Sequence, residues 1–292
     1  MVAPPQDEYS LDPRAVRRAF DRASATFEHG AQVHGEIRAR LLERLEVVRI
    51  DPRVVVDLGA AQGAGAKALS ARYRKAHVIA VDLSCHMLQR AARQQTLLRR
   101  FGRVVADAQH LPLASGSVDL LFSNLMLQWC ADPDGVFDQV RRTLRPGGLL
   151  VFTTLGPDTL KELRRAWSLD AYVHVHRFID MHDLGDALLR TGFAEPVMET
   201  ERLTVTYPDF ASLRRELQAS GSCNLAAGRR RGLAGRRAMQ AVLERYEALR
   251  RDSVLPVTVE VIYGHAWAGA IKPAAASPGE VRVPLASLRR RR

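Results

Sequence analysis

The stretch VVVDLGAAQG, residues 54–63, decides the fold of this chain. Its valines predict a strand, its glycines allow a tight turn and a close approach of the backbone to a ligand, and residues 64–72 have a helix-like pattern. A strand, a glycine-rich turn and a helix in this order are typical of a cofactor site, because the first turn of the helix has unpaired N–H groups that bind an anion. The residues expected to contact the cofactor here are Asp57, Gly59, Ala61 and Gly63.

Two further segments repeat the pattern of a hydrophobic strand followed by an acidic residue: residues 77–82 end in Asp82, and residues 103–108 contain Asp107. At the end of the second strand of a doubly wound sheet, a carboxylate can accept hydrogen bonds from both ribose hydroxyls of an adenosine. We therefore assign Asp82 as the ribose ligand and expect Asp107 to reach the adenine amino group. The cofactor contacts predicted in these segments are Asp82, Leu83, Asp107 and Ala108.

Residues 118–124 and 149–154 predict the fourth and fifth strands, and the helix between them is expected to end at residues 145–148. Strands that alternate with helices predict an α/β fold with a doubly wound, mostly parallel sheet. Asn124 closes the fourth strand and is therefore predicted to lie in the cofactor site. Further elements are predicted at residues 84–99, 158–170 and 182–191, which are helices, and at 201–207, a strand.

Two other nucleotide-binding motifs compete with this interpretation. GAGAKA at residues 63–68 fits the Gly-x-Gly-x-x-Gly/Ala fingerprint of dinucleotide-binding proteins, with Asp82 at about the right distance. In that motif the first glycine ends the strand, whereas Gly63 comes after Gly59 and the rest of the turn, so a nicotinamide or flavin dinucleotide is the less favoured alternative. A phosphate-binding Walker loop needs Gly-Lys followed by Ser or Thr, and Lys67 lacks both neighbours.

The composition is that of an ordinary globular protein, since 47% of the 292 residues are hydrophobic and 26% are charged. No run approaches the roughly 18 uncharged apolar residues of a membrane span, and residues 1–12 lack the features of a signal peptide, so we expect a cytoplasmic protein. The three cysteines form no Cys-x-x-Cys pair, so neither a disulfide framework nor a zinc site is predicted. They are Cys85, Cys130 and Cys223.

The formal net charge of +11 suggests an acidic partner. Nucleic acid, an anionic membrane surface and an acidic protein such as an acyl carrier protein all carry suitable charge, and charge alone does not distinguish them. The motifs described below favour the acidic protein, and we expect no membrane partner. Because nearly all of the basic residues are arginines, a compositional bias of the genome accounts for part of the excess.

The chain divides into five parts by pattern and composition. A cap of two helices, broken near Gly30, precedes the cofactor-binding core. About 50 residues separate the strand at 201–207 from the last strand, too many for a plain connection, so we predict a helical insertion that acts as a lid or docking surface and carries the basic run 229–231. The boundaries are 1–48 for the cap, 49–207 for the core, 208–255 for the insertion, 256–267 for the last strand, and 268–292 for a disordered basic tail.

Four motifs resemble those of the malonyl-acyl carrier protein O-methyltransferases of biotin synthesis: LQWC at 127–130, FTTLGPDTLKEL at 152–163, MHDLG at 181–185 and YGHAW at 263–267. The resemblance covers residues 14 to 267. It implies a class I methyltransferase with a seven-stranded Rossmann-like sheet, an antiparallel last strand, and S-adenosylmethionine (SAM) bound over the carboxyl ends of the first strands. It also implies methylation of the free carboxylate of a malonyl thioester, on acyl carrier protein or coenzyme A, an early step toward pimeloyl and biotin.

The implied reaction needs no catalytic base. A carboxylic acid titrates near roughly pH 4, so a malonyl carboxylate is already ionised at neutral pH, and alignment and desolvation carry the catalysis. Histidines such as His34, His174 and His176 are therefore not expected to be catalytic. An arginine, hydroxyl or amide should orient the substrate carboxylate, and an aromatic residue after the fourth strand would shield the transfer from water. The candidates are Arg22, Gln128, Trp129 and Thr154.

The sequence departs from the family pattern near the expected pocket. Relatives usually have a glycine at the position of Ala61, and commonly a threonine at Gln62, a tyrosine at Phe27 and a glutamine at His34. If position 61 requires a positive φ, alanine costs on the order of 1 kcal/mol, and its methyl group crowds the methionine part of SAM. We therefore expect SAM affinity or substrate preference to differ from that of relatives.

The sequence is compatible with three other functions. A related branch of enzymes methylates a protein side chain during respiratory-complex assembly, although the YGHAW motif favours the malonyl branch. A degenerate SAM-binding protein without activity would explain the altered loop. A nucleic-acid methyltransferase is disfavoured, because enzymes that modify base amino groups typically have a Pro-Pro-aromatic motif after the fourth strand, where this chain has Asn124 followed by Leu125 and Met126.

Overall fold

The computed structural model describes residues 7–96, 99–168, 170–232 and 234–269. Within these ranges the strands are β1 Val54–Leu58, β2 His77–Asp82, β3 Gly102–Val105, β4 Val118–Asn124, β5 Leu144–Leu155, β6 Phe193–Tyr207 and β7 Leu255–Ala268. The helices are α1 Pro13–Ala23, α2 Phe27–Gly30, α3 Gln32–Arg44, α4 Ala64–Arg72, α5 Cys85–Ala91, α6 Pro133–Thr143, α7 Lys161–Ala166, α8 Met181–Arg190, α9 Phe210–Ala219 and α10 Arg236–Glu247.

The strands form one sheet in the order β3-β2-β1-β4-β5-β7-β6. β1 pairs in parallel with β2 and β4, and β7 lies antiparallel between β5 and β6. This confirms the predicted doubly wound α/β fold with an antiparallel last strand. The strand order reverses between β1 and β4, so the carboxyl ends of these strands form the crevice where such sheets bind ligands.

The centre of the sheet is buried on both faces, which explains the apolar runs that mark it in the sequence. Val55 and Val56 of β1 and Leu120 and Leu121 of β4 are fully buried. Asp119 of β4 is a buried polar residue, and its Oδ2 accepts hydrogen bonds from the N–H groups of Arg53 and Val54, at 2.6 and 2.8 Å. A buried carboxylate thus fixes the start of β1, which carries the glycine-rich turn at its other end.

Several predicted boundaries were wrong. α6 ends at Thr143 and β5 begins at Leu144, so residues 145–148 belong to the strand and not to the helix. β6 begins at Phe193, since it pairs with almost the whole length of β7, although its polar residues hide the strand pattern before residue 201. α5 ends at Ala91, before the predicted end at 99, and Asp107 follows β3 in a turn.

The predicted helix at 158–170 is only α7, Lys161–Ala166. The residues before α7 are bound to β7 instead of continuing a helix. Leu160 has a left-handed backbone with φ of 57°, and the Thr159 hydroxyl donates to the Glu260 carbonyl at 3.0 Å. The motif TLGPDTLKEL therefore forms a loop anchored on the last strand, followed by a short helix.

The N-terminal segment and the insertion pack on each other above the carboxyl edge of the sheet. α2 packs against α9, and the closeness is visible at Gly30, where a Cβ would lie 2.6 Å from the backbone nitrogen of Ser220. Leu11 forms a β-bridge with Ala226. The two segments, which are far apart in the chain, therefore cover the same end of the sheet.

The tail predicted at 268–292 lies, from residue 270 on, outside the described residues. In the part of the chain that is described, no helix has the length and apolar character needed to cross a membrane. Over the same residues, no group of three or more His, Cys, Asp or Glu side chains is arranged to hold a metal ion.

Candidate active site

A cavity of about 350 Å³ lies between the carboxyl ends of β1, β2 and β4 and the helices α1 and α3. The sheet supplies its floor and the N-terminal segment its roof, which includes Phe20, Phe27 and His34. Most of the cofactor residues predicted from the sequence line it. They are Asp57, Gly59, Ala61, Asp82, Leu83, Asp107, Ala108 and Asn124, together with Trp129 from the acceptor candidates.

Gly59 and Gly63 have positive φ angles, 77° and 79°, and neither position has room for a side chain. A Cβ on Gly59 would lie 2.4 Å from the Cβ of Met126, and one on Gly63 would lie 2.9 Å from the ring of Phe101. Gly63 is not among the residues that line the cavity. Its role in this structure is to turn the chain tightly into α4 against α5 and the segment that precedes β3.

Ala61 has a φ of 43°, so position 61, where relatives usually have a glycine, does require a positive φ. Its N–H donates a hydrogen bond of 2.8 Å to Oδ2 of Asp82, which holds the strained turn in place. A non-glycine residue in this region of backbone space costs roughly 1 kcal/mol or more. The altered loop therefore stores strain at the wall of the cavity.

Ala61→Gly is expected to raise the free energy of unfolding by about 1 kcal/mol and to increase the affinity for SAM, because it removes both the strain and a methyl group in the cavity. Urea unfolding and calorimetry measure the two effects. Ala60→Gly is the matched control: Ala60 has no positive φ, is buried, and should lose stability. Destabilisation of both variants alike would contradict the argument from φ.

Two acidic residues lie at the floor of the cavity: Asp82 is the last residue of β2, and Asp57 lies in β1. Oδ1 of Asp82 accepts from the N–H of Ser84 at 2.8 Å, while Oδ2 accepts from Ala61, and burial raises the pKa of Asp82 to about 6 despite these bonds. Burial raises the pKa of Asp57 to about 7, and its Oδ2 has no hydrogen-bond partner among the described residues. Each carboxylate thus keeps accepting capacity for a ligand.

The lining of the cavity is acidic. Four carboxylates face it, those of Glu28, Asp57, Asp82 and Asp107, whereas Arg38 is the only arginine or lysine among the described lining residues. A pyrophosphate would meet like charge here, while a sulfonium and an ammonium group would meet opposite charge. The geometry therefore disfavours the dinucleotide alternative and suits a cationic methyl donor.

Asn124 and Asp107 are held by local bonds at the rim. The Asn124 amide nitrogen donates to the backbone carbonyl of His34 at 3.2 Å, and its oxygen accepts from the Thr153 hydroxyl at 2.9 Å, so this side chain links α3 to β4 and β5. Oδ1 of Asp107 accepts from the N–H of Gln109 at 2.9 Å. Its other oxygen stays available to a ligand.

A second cavity, of about 780 Å³, adjoins the first across the loop at residues 125–131. Cys130 and Ala131 line both cavities. Gln128 and Thr154 line only the second, where the Thr154 hydroxyl donates to the Gln128 side-chain oxygen at 3.2 Å. The loop that follows β4 thus separates the two cavities.

Trp129 lies at this partition in an aromatic stack. Its ring meets that of Phe20 edge to face at 5.2 Å and that of His176 at 5.3 Å. Such pairs are typical of tightly packed aromatic clusters and leave little space for water. Trp129 therefore lies between Phe20, which lines the first cavity, and His176, which lines the second, and its role as a shield stays a prediction.

Arg22 is exposed on α1 and lines neither cavity, so the geometry does not place it with the other candidates. The arginines that line the second cavity are Arg164 and Arg177. Sequence reasoning missed both, and Arg38 as well, because a single arginine in an arginine-rich chain carries no local signal. Only the packing of distant segments identifies them.

Gln62, a second departure from the family pattern, links the glycine-rich turn to the end of α1, which covers the cavity. Its side-chain nitrogen donates to the carbonyl of Ser24 at 2.7 Å. Ser84, two residues after Asp82, donates its hydroxyl hydrogen to Asp21 of α1 at 2.5 Å. Burial raises the pKa of Asp21, but the hydrogen bonds from Ser84 and His86 outweigh it, so the pKa lies below its usual value. These bonds hold α1 over the cavity.

Comparisons with known proteins agree with this geometry. Residues 56–152 match the family described as "Methyltransferase domain". A malonyl-[acyl-carrier protein] O-methyltransferase of Methylovorus sp. (strain MP688) is 50% identical over 89% of this chain and 90% of its own length, and one of Laribacter hongkongensis is 48% identical over 91% and 93%. YcgJ of Bacillus subtilis shares the fold, with a TM-score of 0.59 at 14% identity over 80% of this chain and 99% of its own. The chain therefore belongs to the malonyl-[acyl-carrier protein] O-methyltransferase family, within the SAM-dependent class I methyltransferases.

Proposed function

We propose that this protein methylates the free carboxylate of malonyl-acyl carrier protein with SAM, giving the methyl ester that leads toward pimeloyl and biotin. The observation that carries the proposal is the pair of adjoining cavities, one acidic and one lined by Gln128, Thr154 and two arginines, on either side of a single loop. Methyl transfer needs donor and acceptor to meet at one point. The printed names of the relatives support the choice of acceptor.

The residues around the first cavity fit SAM, since an unpartnered buried carboxylate oxygen, that of Asp57, faces a cavity poor in cations. When bound, SAM supplies an electrophilic methyl group on its sulfonium. Asp82 would accept hydrogen bonds from the ribose hydroxyls, and Asp107 from the adenine amino group, with Leu83 and Ala108 against the adenine. Gly59 and Ala61 would allow the methionine part to approach the backbone.

On the acceptor side the protein has to position an ionised carboxylate and exclude water, and it has no proton to remove. Thr154 is buried at the end of β5 and donates its hydroxyl hydrogen to the Gln128 side-chain oxygen, so it orients the Gln128 amide, whose nitrogen also donates to the carbonyl of Leu125. The second hydrogen of that nitrogen is the one that this pair would donate to a carboxylate oxygen. Trp129, packed between Phe20 and His176, would keep water from the transfer. Asn124 would contribute by fixing α3 over the site.

The malonyl group could also be carried by coenzyme A, because both carriers present it on a pantetheine arm. The positive charge of the chain and the exposed basic residues near the second cavity, among them Arg177 and Arg230, favour an acidic carrier protein. The remaining alternatives are a protein side chain as acceptor, a nucleic acid, and SAM binding without transfer. One experiment separates these.

Intact-mass spectrometry of malonyl-acyl carrier protein after incubation with this protein and SAM is the direct test, with acetyl-acyl carrier protein as the control. The expected result is the mass of one added methyl group on the malonyl form only, since only malonyl has a free carboxylate. A parallel reaction with malonyl-coenzyme A ranks the two carriers by kcat/KM. Measurable SAM binding with no methyl gain on either malonyl substrate would overturn the proposed function.

A further inference from the structure

We propose that His174, held in place by Asp170 and Trp167, binds the free carboxylate of the acceptor in the second cavity and so selects malonyl over acyl groups without a carboxylate. The inference rests on the proposed function, which makes this cavity the acceptor site. It gives the histidine a role in binding and none as a base, because the acceptor has no proton to lose.

The first observation is a pair of histidine and carboxylate in the wall of the second cavity. Nε2 of His174 lies 2.7 Å from Oδ1 of Asp170, and both residues line the cavity. Oδ1 also accepts from the N–H of Tyr172 at 3.0 Å. Burial raises the pKa of Asp170, but the hydrogen bonds from His174 and Tyr172 outweigh it, so the pKa lies below its usual value. An ionised carboxylate only accepts, so Nε2 of His174 carries a hydrogen and donates it.

The second observation is that the ring of His174 is fixed on two sides. It is stacked on the ring of Trp167, with centroids 4.1 Å apart and planes 15° from parallel. The stack fixes the plane of the imidazole and Asp170 fixes one edge, so the direction of Nδ1 is fixed as well. Nδ1 makes no hydrogen bond to any described residue, and the side chain is only 13% exposed. A preorganised ring nitrogen is thus left available to a ligand in the cavity.

A carboxylate is the group that matches this nitrogen best. A protonated histidine donates from both ring nitrogens, so Nδ1 can bind an anion while Nε2 stays with Asp170. With a carboxylate on each side, the charged form of the ring is favoured. Arg164 and Arg177 line the same cavity and add positive charge. The phosphate of the carrier arm is the other anion available, but it is attached at the surface of the carrier protein, whereas His174 is largely buried.

His174 also lies near the place where donor and acceptor would meet. It is two residues from His176, and two residues of chain span at most about 7 Å. The ring of His176 contacts that of Trp129, between the two cavities, at 5.3 Å. Burial lowers the pKa of His176, so this ring is neutral at pH 7. His174, which has a carboxylate partner, is therefore the histidine of this wall that can donate to an anion from its second nitrogen.

Calorimetry on the protein saturated with S-adenosylhomocysteine tests the proposal, because no methyl group can be transferred. The ligands are malonyl- and acetyl-acyl carrier protein, which share the carrier, its arm and the phosphate and differ in the free carboxylate. The unaltered protein should bind the malonyl form more tightly. His174→Phe keeps an aromatic ring against Trp167, and it is expected to weaken the malonyl form about 10-fold and to leave the acetyl form within about twofold. His174→Gln, which keeps one donor, should give an intermediate affinity.

His182→Gln is the matched control for His174→Gln. His182 forms a similar pair with Asp180 at 2.8 Å, but it is exposed and is not among the described residues that line the cavity, so neither affinity should change. Binding of the acetyl form also shows that each variant is folded. Equal losses for both forms in His174→Phe, or a preference for malonyl that this variant retains, would overturn the proposal. Either result leaves the proposed function intact, which fails only if the unaltered protein adds no methyl group to a malonyl substrate.

Discussion

Asp82→Ala is expected to reduce the affinity for SAM by at least about 100-fold, the largest effect of any single substitution considered for this protein. The side chain ends β2 at the cavity, where it can accept from both ribose hydroxyls, and hydrogen bonds to a charged acceptor contribute roughly 1.5–3 kcal/mol each. The structure adds a second cause. The same carboxylate accepts from the N–H groups of Ala61 and Ser84, so its loss also frees the glycine-rich turn.

Two measurements separate these causes. Calorimetry with SAM gives the affinity, and thermal unfolding of the ligand-free protein gives the cost to the turn. Asp82→Asn keeps one acceptor oxygen and is the matched control, so it should bind more tightly than Asp82→Ala while still falling below the unaltered protein. Unchanged affinity in Asp82→Ala would place the cofactor elsewhere and overturn the assignment of the site.

Neutralising Arg229, Arg230 and Arg231 together is expected to lower kcat/KM for malonyl-acyl carrier protein by about tenfold, and to leave a small malonyl thioester unaffected. Arg230 binds Asp170, a lining residue of the second cavity, and lies over the ring of Tyr172. The run is therefore near this cavity, where an acidic partner would dock. The loss should shrink at high salt because exposed charges are screened.

The contacts of the three arginines show which of them to change. Arg229 donates to the carbonyls of Leu225 and Ala226, so part of its effect would be structural. A double change of Arg230 and Arg231 to glutamine should show most of the loss. Arg74→Gln with Lys75→Gln is the control, since it removes the same charge from the turn between α4 and β2 at the opposite edge of the sheet. Equal losses on both substrates, or an equal loss in the control, would contradict a docking role.

Much of the fold could be predicted because its signals are local. The strand of valines, the turn with two glycines, the acid that ends β2 and the acid after β3 are each signals of a few residues. Parallel strands bring their carboxyl ends to one edge of the sheet whatever their exact limits. The antiparallel direction of β7 was predicted from the resemblance to the methyltransferase family and not from a local pattern. Strand β6 was placed too late because its early residues are polar on an exposed face, and their place in the sheet depends on pairing with β7.

The strain at Ala61 could be predicted from the local sequence, except for the backbone angle itself. The sequence identified the position and stated the consequence of a positive φ, and the structure supplied the angle of 43°. Gln62 is the opposite case. The sequence marked it only as a departure from the family pattern, and its bond to the carbonyl of Ser24 depends on how α1 lies over the sheet.

The sequence by itself determined the α/β class, the edge of the sheet where the cofactor is predicted to bind, and the family, because these follow from short motifs and their order. Only the tertiary structure decided that Arg22 faces solvent while Arg38 faces the cavity, and that residues 125–131 separate two cavities. The two arginines lie one short helix apart in an arginine-rich segment and have similar local surroundings. Which of them meets a ligand is set by the packing of the N-terminal segment against the sheet, a long-range contact that no local pattern encodes.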